Sequence, residues 1–414
     1  MKKLLHRLLI AVVLGVAPHA PAAAAEGPAS GVIFDMDTLQ HRPGEFTKEN
    51  QKVPAGTAQV VDGKFGKAVR FDFVEGASGG FMTGRAPATK AWDDADGFSF
   101  WVKGDGSQSW GGIDLIDRDD FSLRYGYCFP IDSTDWRKIV VPWRDVIPEL
   151  AAPLVGTREG QYPPSRFGNL FFGKWFYWRQ YPAASYTIDQ VVLEPRIPQP
   201  APADAPPAGL KRLKEKLRQH KPITIVTMGD SLTDQRHWSN QKAVWHGLLA
   251  DAIKAKYGGE VTVINPALGG TTLSQNLVLM PRWAAEAASP DLVTVWFGGN
   301  DWDTGVRGPR FREYLRLAVD RVRRQTRGSA DVLLMTTCPT QAGWETKAEL
   351  EQAVREVARE TGAALADVAA DFRKAGTPDE ALKQDYLAWD KVHLGPKGHE
   401  ATRDAVLRAI EHSE

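Results

Sequence analysis

Four short segments carry the residue types that acyl transfer needs. The first is Gly229-Asp230-Ser231-Leu232-Thr233. A serine hydroxyl is a weak nucleophile until a base takes its proton, so Ser231 gains meaning only with a histidine in reach. Asp390-Lys391-Val392-His393 supplies one. A carboxylate three residues before a histidine can share its local turn, fix the imidazole tautomer and stabilise the imidazolium formed during attack. Acyl transfer also needs an oxyanion hole, because negative charge builds on the carbonyl oxygen. Asn265-Pro266-Ala267-Leu268-Gly269-Gly270-Thr271-Thr272 offers backbone N–H groups that glycine lets approach closely, and Gly298-Gly299-Asn300-Asp301 offers a side-chain amide. Taken alone, the Gly-Asp-Ser tripeptide equally suits a turn whose Asp and Ser cap a helix, and Asp230 has a structural reading as a holder of its loop.

The surrounding pattern decides whether these groups can meet. After a charged amphipathic helix over 210–219, strand patterns at 223–228, 261–264, 292–297, 332–336 and 364–368 alternate with helical patterns at 242–256, 310–324, 345–360 and 397–410. Such alternation predicts a parallel sheet covered by helices on both faces, with ligands at the carboxyl ends of its strands. Ser231, the glycine pair and Asn300 follow the first three strands, and Asp390 and His393 precede the last helix, so all of them fall at that edge.

In this order the segments resemble the four blocks of the SGNH (GDSL-like) hydrolases, over about residues 221–412. The resemblance implies a flavodoxin-like three-layer α/β fold with strand order 2-1-3-4-5, and hydrolysis of carboxylic esters through an acyl-enzyme. It implies Ser231 as nucleophile, His393 as general base and then acid, and Asp390 as its orienter. The oxyanion hole would comprise the Ser231 N–H, the Gly270 N–H and the Asn300 side chain. One departure is visible: Ala267 stands where the second block usually has glycine, and the doublet leaves Gly269 as the alternative to Gly270. The chemistry calls for no cofactor. His399 reads as a solvated histidine rather than a metal partner of Asp390, since Gly395, Pro396 and Gly398 break the helical spacing, and His237 and His246 read as surface or packing residues.

A chain of 414 residues exceeds one ordinary core and predicts two domains. Lys plus Arg and Asp plus Glu both number 51, so no basic field exists to hold nucleic acid or an anionic membrane. No internal run is long enough to cross a bilayer, and 43% hydrophobic with 25% charged residues predicts a soluble mature chain. Lys2, Lys3 and Arg7 precede the apolar run 8–16, then Pro18 and an alanine tract: a signal peptide over 1–25, sending the protein to a secreted or periplasmic location, with a short membrane anchor as the other reading. The two cysteines, Cys128 and Cys338, read as small buried apolar residues.

Residues 195–209, PRIPQPAPADAPPAG, read as an extended linker between 26–194 and 210–414. Before it, short strand patterns at 31–34, 68–73, 97–102, 113–116, 123–129, 138–142, 168–172 and 186–193 predict a β-sandwich. Seven of 14 tryptophans lie there, including Trp101, Trp110, Trp136, Trp143, Trp175 and Trp178, whose rings either stack on sugars or fill the core. Segments 98–115 and 171–195 resemble jelly-roll carbohydrate-binding modules. Asp35, Asp37 and Asp189 are either a structural calcium site or hydrogen-bonded, solvated carboxylates. A jelly roll ahead of an SGNH domain resembles carbohydrate esterases that remove acetyl groups from plant or algal polysaccharides, which implies an acetylated carbohydrate substrate. Trp238 and Trp302, with His237, Asp303 and Trp344, give the loops a polar and aromatic character suited to sugar. A lipase-like, thioesterase or general esterase activity is the enzymatic alternative. A non-catalytic glycan-binding protein is the other, against which the intact Ser231, Asn300, Asp390 and His393 stand.

Overall fold

The structure, a computed structural model, describes residues 31–412 except 49, 78–79, 85–87, 150–151, 175–181, 199–207 and 288. The expected signal peptide, the middle of the expected linker, Trp175 and Trp178 lie outside the described residues. Among the described residues no helix is long and apolar enough to cross a membrane.

Period-two alternation builds the first part of the chain. Phe98, Phe100 and Val102 of strand Gly97–Gly104, and Val69, Phe71 and Phe73 of Lys67–Phe73, all turn to one buried face. The sheet they belong to runs Arg137–Pro142, Gly97–Gly104, Ala184–Glu194, Lys67–Phe73, Gly56–Asp62, with Val32–Phe34 also paired to Ala184–Glu194. A second sheet runs Ile147–Pro148, Arg124–Pro130, Trp110–Asp117, Phe167–Lys174, Gly80–Met82, Arg42–Pro43. Their pairings are antiparallel. Rings lock the two faces together: Phe71 stacks on Phe172 at 5.5 Å and Phe100 meets Phe129 edge-on at 5.0 Å, each buried ring contributing about 1.5–3 kcal/mol. Strand Gly56–Asp62 was not expected because its residues are mostly exposed and carry no apolar period. Trp92 and Trp143 stack within the core at 6.0 Å, whereas the Trp101 ring holds the Lys64 ammonium 4.0 Å from its centroid.

Asp35, Asp37 and Asp189 each accept backbone hydrogen bonds, while Asp189 Oδ1 is buried without a hydrogen-bond partner. Asp189 Oδ2 accepts from the backbone N–H groups of Lys64 and Phe65, Asp37 Oδ1 from that of Lys67, and Asp35 Oδ1 from that of Asp37. Among the described residues no three His, Cys, Asp or Glu side chains are grouped to hold a metal ion.

The remainder is a parallel sheet of β1 (Ile223–Gly229), β2 (Val261–Ile264), β3 (Leu292–Trp296), β4 (Asp331–Met335) and β5 (Ala364–Ala366), in the order β2-β1-β3-β4-β5. β3 and β4 are buried throughout, as strands covered on both faces must be. The helices that concern the site are α1 (Trp245–Tyr257), α2 (Leu273–Val278), α3 (Gly299–Asp303), α4 (Gly308–Gln325), α5 (Ala348–Thr361) and α6 (Pro396–His412). α4 buries Phe311, Leu315, Ala318, Val319 and Val322, a stripe at helical spacing.

The two parts share a core. Cys128 and Ile147 of the sandwich join Val278, Leu279 and Met280 in one buried cluster, and Trp110 packs against it. Cys128 Sγ donates to the Val278 carbonyl at 2.9 Å, and Asp145 pairs with Arg324 at 2.8 Å. Cys128 and Cys338 are both buried and unpaired.

Candidate active site

Ser231 is presented by a tight turn at the end of β1. A Cβ on Gly229 would lie 2.3 Å from Thr233 Oγ1, so only glycine lets the chain double back there. Asp230 holds the turn: its Oδ1 accepts from the Leu232 N–H at 3.0 Å, and its carbonyl accepts from the Thr233 and Asp234 N–H groups. Asn240, buried nine residues on, donates from Nδ2 to the carbonyls of Ser231 and Asp234, both at 2.8 Å.

His393 approaches from a second loop, pinched by the bridge Leu387–Leu394 and by the Ala388 N–H donating to the His393 carbonyl at 2.7 Å. Within it Lys391 takes the left-handed φ of 62°, which folds Asp390 back toward the imidazole. Asp390 Oδ1 accepts from the Val392 and His393 backbone N–H groups, and Oδ2 meets His393 Nδ1 at 2.5 Å. His393 Nε2 lies 2.9 Å from Ser231 Oγ. Partial burial opposes the Asp390 charge, but the hydrogen bonds from His393 and Val392 outweigh it and hold the carboxyl below its ordinary value. A permanently ionised carboxylate on Nδ1 leaves Nε2 free to take the hydroxyl proton.

The segment after β2 is tied to the nucleophile turn. Asp234 Oδ2 accepts from the Gly269 N–H at 3.0 Å, and Asn265 Nδ2 donates to the Thr233 carbonyl at 2.8 Å. The Gly269 N–H is therefore committed, while Gly270 follows in the left-handed region at φ 80°. Asn300, in α3 just past β3, donates from Nδ2 to the Thr271 carbonyl at 2.9 Å and reaches Asp230 Oδ2 at 3.4 Å. Burial lifts Asp230 to about 6 and Asp301 to about 7, opposed chiefly by the backbone N–H groups of Leu232 and Leu273 respectively.

Aromatic rings flank His393. His237 stacks on it at 4.1 Å, Trp238 meets it edge-on at 5.7 Å, and Trp389 lies 5.4 Å from Trp238. Trp238 is 45% and Trp389 78% exposed, so the pair forms an open shelf. The packing role expected of His237 is thus played against the imidazole itself. Trp389 was missed, although its place immediately before Asp390 is legible. The Trp302 ring, in α3 with Asn300, packs on the core and carries the Arg307 guanidinium 3.8 Å from its centroid. His399 is buried rather than solvated, and burial lowers its pKa to about 4; His246 is likewise buried and lowered to about 4.

On the other side of Ser231 a pocket of about 80 Å³ is bounded by Asn300, Asp303, Cys338, Thr340, Lys347 and Val392 among others. A larger cavity, about 220 Å³, lies between the sandwich residues Arg124 and Glu149 and Thr272, Ser274, Gln275 and Thr304 of the α/β part.

Residues 227–401 match the GDSL-like Lipase/Acylhydrolase family. An acetylxylan esterase of Geobacillus stearothermophilus is 27% identical over 212 residues, covering 45% of this chain and 93% of that protein. Two solved structures are similar: an acetylxylan esterase of the same organism, with TM-score 0.38, 24% identity and coverage of 45% of this chain and 94% of that one, and a lipase/acylhydrolase from Enterococcus faecalis, with TM-score 0.39, 23% identity and coverage of 46% and 97%. The chain thus holds a GDSL-like lipase/acylhydrolase domain and is a carboxylic ester hydrolase.

Proposed function

We propose that this ester hydrolase removes O-acetyl groups from a polysaccharide or its oligosaccharides, with Ser231 as nucleophile, His393 as base and acid, and Asp390 as orienter. The observation that carries the carbohydrate reading is the exposed Trp238–Trp389 shelf beside His393. A leaving sugar oxygen must take its proton from His393 Nε2, and sugar rings present the apolar faces that aromatic rings stack against. The acetylxylan esterase relative supports the same substrate class.

In this reading Ser231 Oγ attacks the acetyl carbonyl carbon while His393 Nε2 takes its proton. The oxyanion is held by the N–H groups of Ser231 and Gly270 and by Asn300 Nδ2, which turns one N–H toward it from the Thr271 carbonyl or Asp230, while the Gly269 N–H stays on Asp234. His393 then protonates the departing sugar hydroxyl, activates a water against the acetyl-enzyme, and returns the proton to Ser231 as acetate leaves. The sandwich, proposed as a jelly-roll module over 26–194, forms one wall of the cavity near α3 and braces the catalytic part. The basic and apolar start of the sequence supports export after cleavage near Ala25.

A lipase-like activity needs a long apolar acyl channel, which the small pocket with Lys347 and Asp303 on its wall does not offer. The test is acetate release from acetylated xylan, mannan, pectin and alginate by the protein and its Ser231→Ala variant. Release by the wild type alone is expected. Cleavage of a simple aryl acetate with no release from any glycan would discard the carbohydrate assignment.

A further inference from the structure

Lys347 is placed where a lysine is costly. It is 3% exposed, and it occupies the N-cap of α5, where the helix dipole disfavours a cation. Its stem lies against Gly343, where a Cβ would come within 2.6 Å of Lys347 Cε, so the glycine makes room for it. Its ammonium donates to Thr340 Oγ1 at 2.7 Å, one of three available donors, and the side chain lines the same 80 Å³ pocket as Ser231 and Asn300. The proposed deacetylation assigns it no step.

The geometry of a tetrahedral carbon on Ser231 says what that pocket receives. Of its three other substituents, the oxyanion faces Asn300, and the leaving oxygen faces His393 and the tryptophan shelf. The acyl carbon takes the remaining direction. We infer that Lys347 is the specificity-determining residue of the acyl pocket: its ammonium closes the pocket to alkyl chains longer than acetyl and admits a longer acyl group only if that group ends in a hydrogen-bond acceptor. An alkyl end pressed against a buried ammonium would strip water from it and return no hydrogen bond, whereas a hydroxyl end would accept one. This rests on the esterase site proposed above and deepens it.

The test uses a series of aryl esters, each rate divided by that of its hydroxide-catalysed hydrolysis. For the wild type, kcat/KM falls about tenfold or more from acetate to butyrate, which adds two methylenes, each worth about tenfold in a fitted pocket. In Lys347→Met the acetate-to-butyrate ratio collapses by about tenfold. The glycolate and propionate esters, nearly equal in size, need no variant: the folded wild type prefers glycolate by about tenfold. A Lys347→Met ratio equal to that of the wild type, or equal wild-type rates on glycolate and propionate, overturns the inference. Persistence of aryl-ester cleavage in Ser231→Ala would instead overturn the assignment of the nucleophile, and failure to deacetylate glycans would remove only the sugar.

Discussion

The two sides of the reacting serine differ in kind. Beside His393 the site is open and aromatic, with Trp389 78% exposed; beyond Asn300 it narrows to a pocket of about 80 Å³, lined by Leu232, Phe297 and Val392 as well as by a buried lysine. An ester has two unequal ends, and the asymmetry teaches which end each side takes. An open shelf tolerates a leaving group of any length, as a polymer requires, while a narrow pocket bounds the acyl group. The proposed specificity for a small acyl group on a large alcohol would follow from this shape, with the Ser231–His393–Asp390 chain at the boundary.

The harshest way to break this picture is at the boundary itself. Ser231→Ala is expected to lower kcat on every ester by about 10⁴ or more, since both sides act through one nucleophile; an acetate-release assay that found activity on glycans alone would require a second site. Asn300→Ala removes an oxyanion donor and is expected to cost about 10²–10³ in kcat with KM little changed. Steady-state kinetics showing the loss in KM instead would place Asn300 in ground-state binding. Trp389→Ala sharpens the contrast, because it touches the shelf only: KM for an acetylated oligosaccharide is expected to rise about tenfold more than KM for an aryl acetate.

The smallest effect concerns pH, and its sign differs between the two sides. Behind the shelf, His399 is held at about 4 against 6.5 when unfolded. Between those values the unfolded chain binds a proton that the folded protein does not, so stability falls as pH drops. Beside Asn300, Asp301 is lifted from 3.8 to about 7. It contributes stability at low pH that is lost as pH rises through about 7. Urea unfolding between pH 4 and 7 is expected to show His399→Gln losing less stability on acidification and Asp301→Asn losing less on alkalinisation. Each slope changes by at most about 1.4 kcal/mol per pH unit. Parallel curves for variant and wild type would mean that neither group is held as its burial implies.

Much of the α/β part is legible because its signals are local. β2 spans Val261–Ile264 as expected, and β1 and β3, whose burial makes them continuous apolar runs, differ from expectation by a single residue. The short helices Leu273–Val278 and Gly299–Asp303 were not anticipated: at six and five residues they carry too little period to stand out. In the first part, the exposed strand Gly56–Asp62 and two-residue strands such as Arg42–Pro43 escaped for the same reason. The hydrogen bonds that Asp37 and Asp189 accept from Lys67, Lys64 and Phe65 were not legible, because sequence shows carboxylates but not which backbone N–H groups fold onto them.

By itself the sequence determined the address of the candidate site: a serine, a glycine pair and an asparagine following successive strands, with an Asp-x-x-His before the last helix, must meet at one edge of a parallel sheet. Only the tertiary structure decided that the Gly269 N–H is already committed to Asp234, that His237 and Trp389 flank His393, and that Lys347, more than a hundred residues from Ser231, lines its pocket. Periodicity and turn chemistry are set by neighbours along the chain, whereas these contacts depend on loop conformations and on which hydrogen bonds each loop has already made.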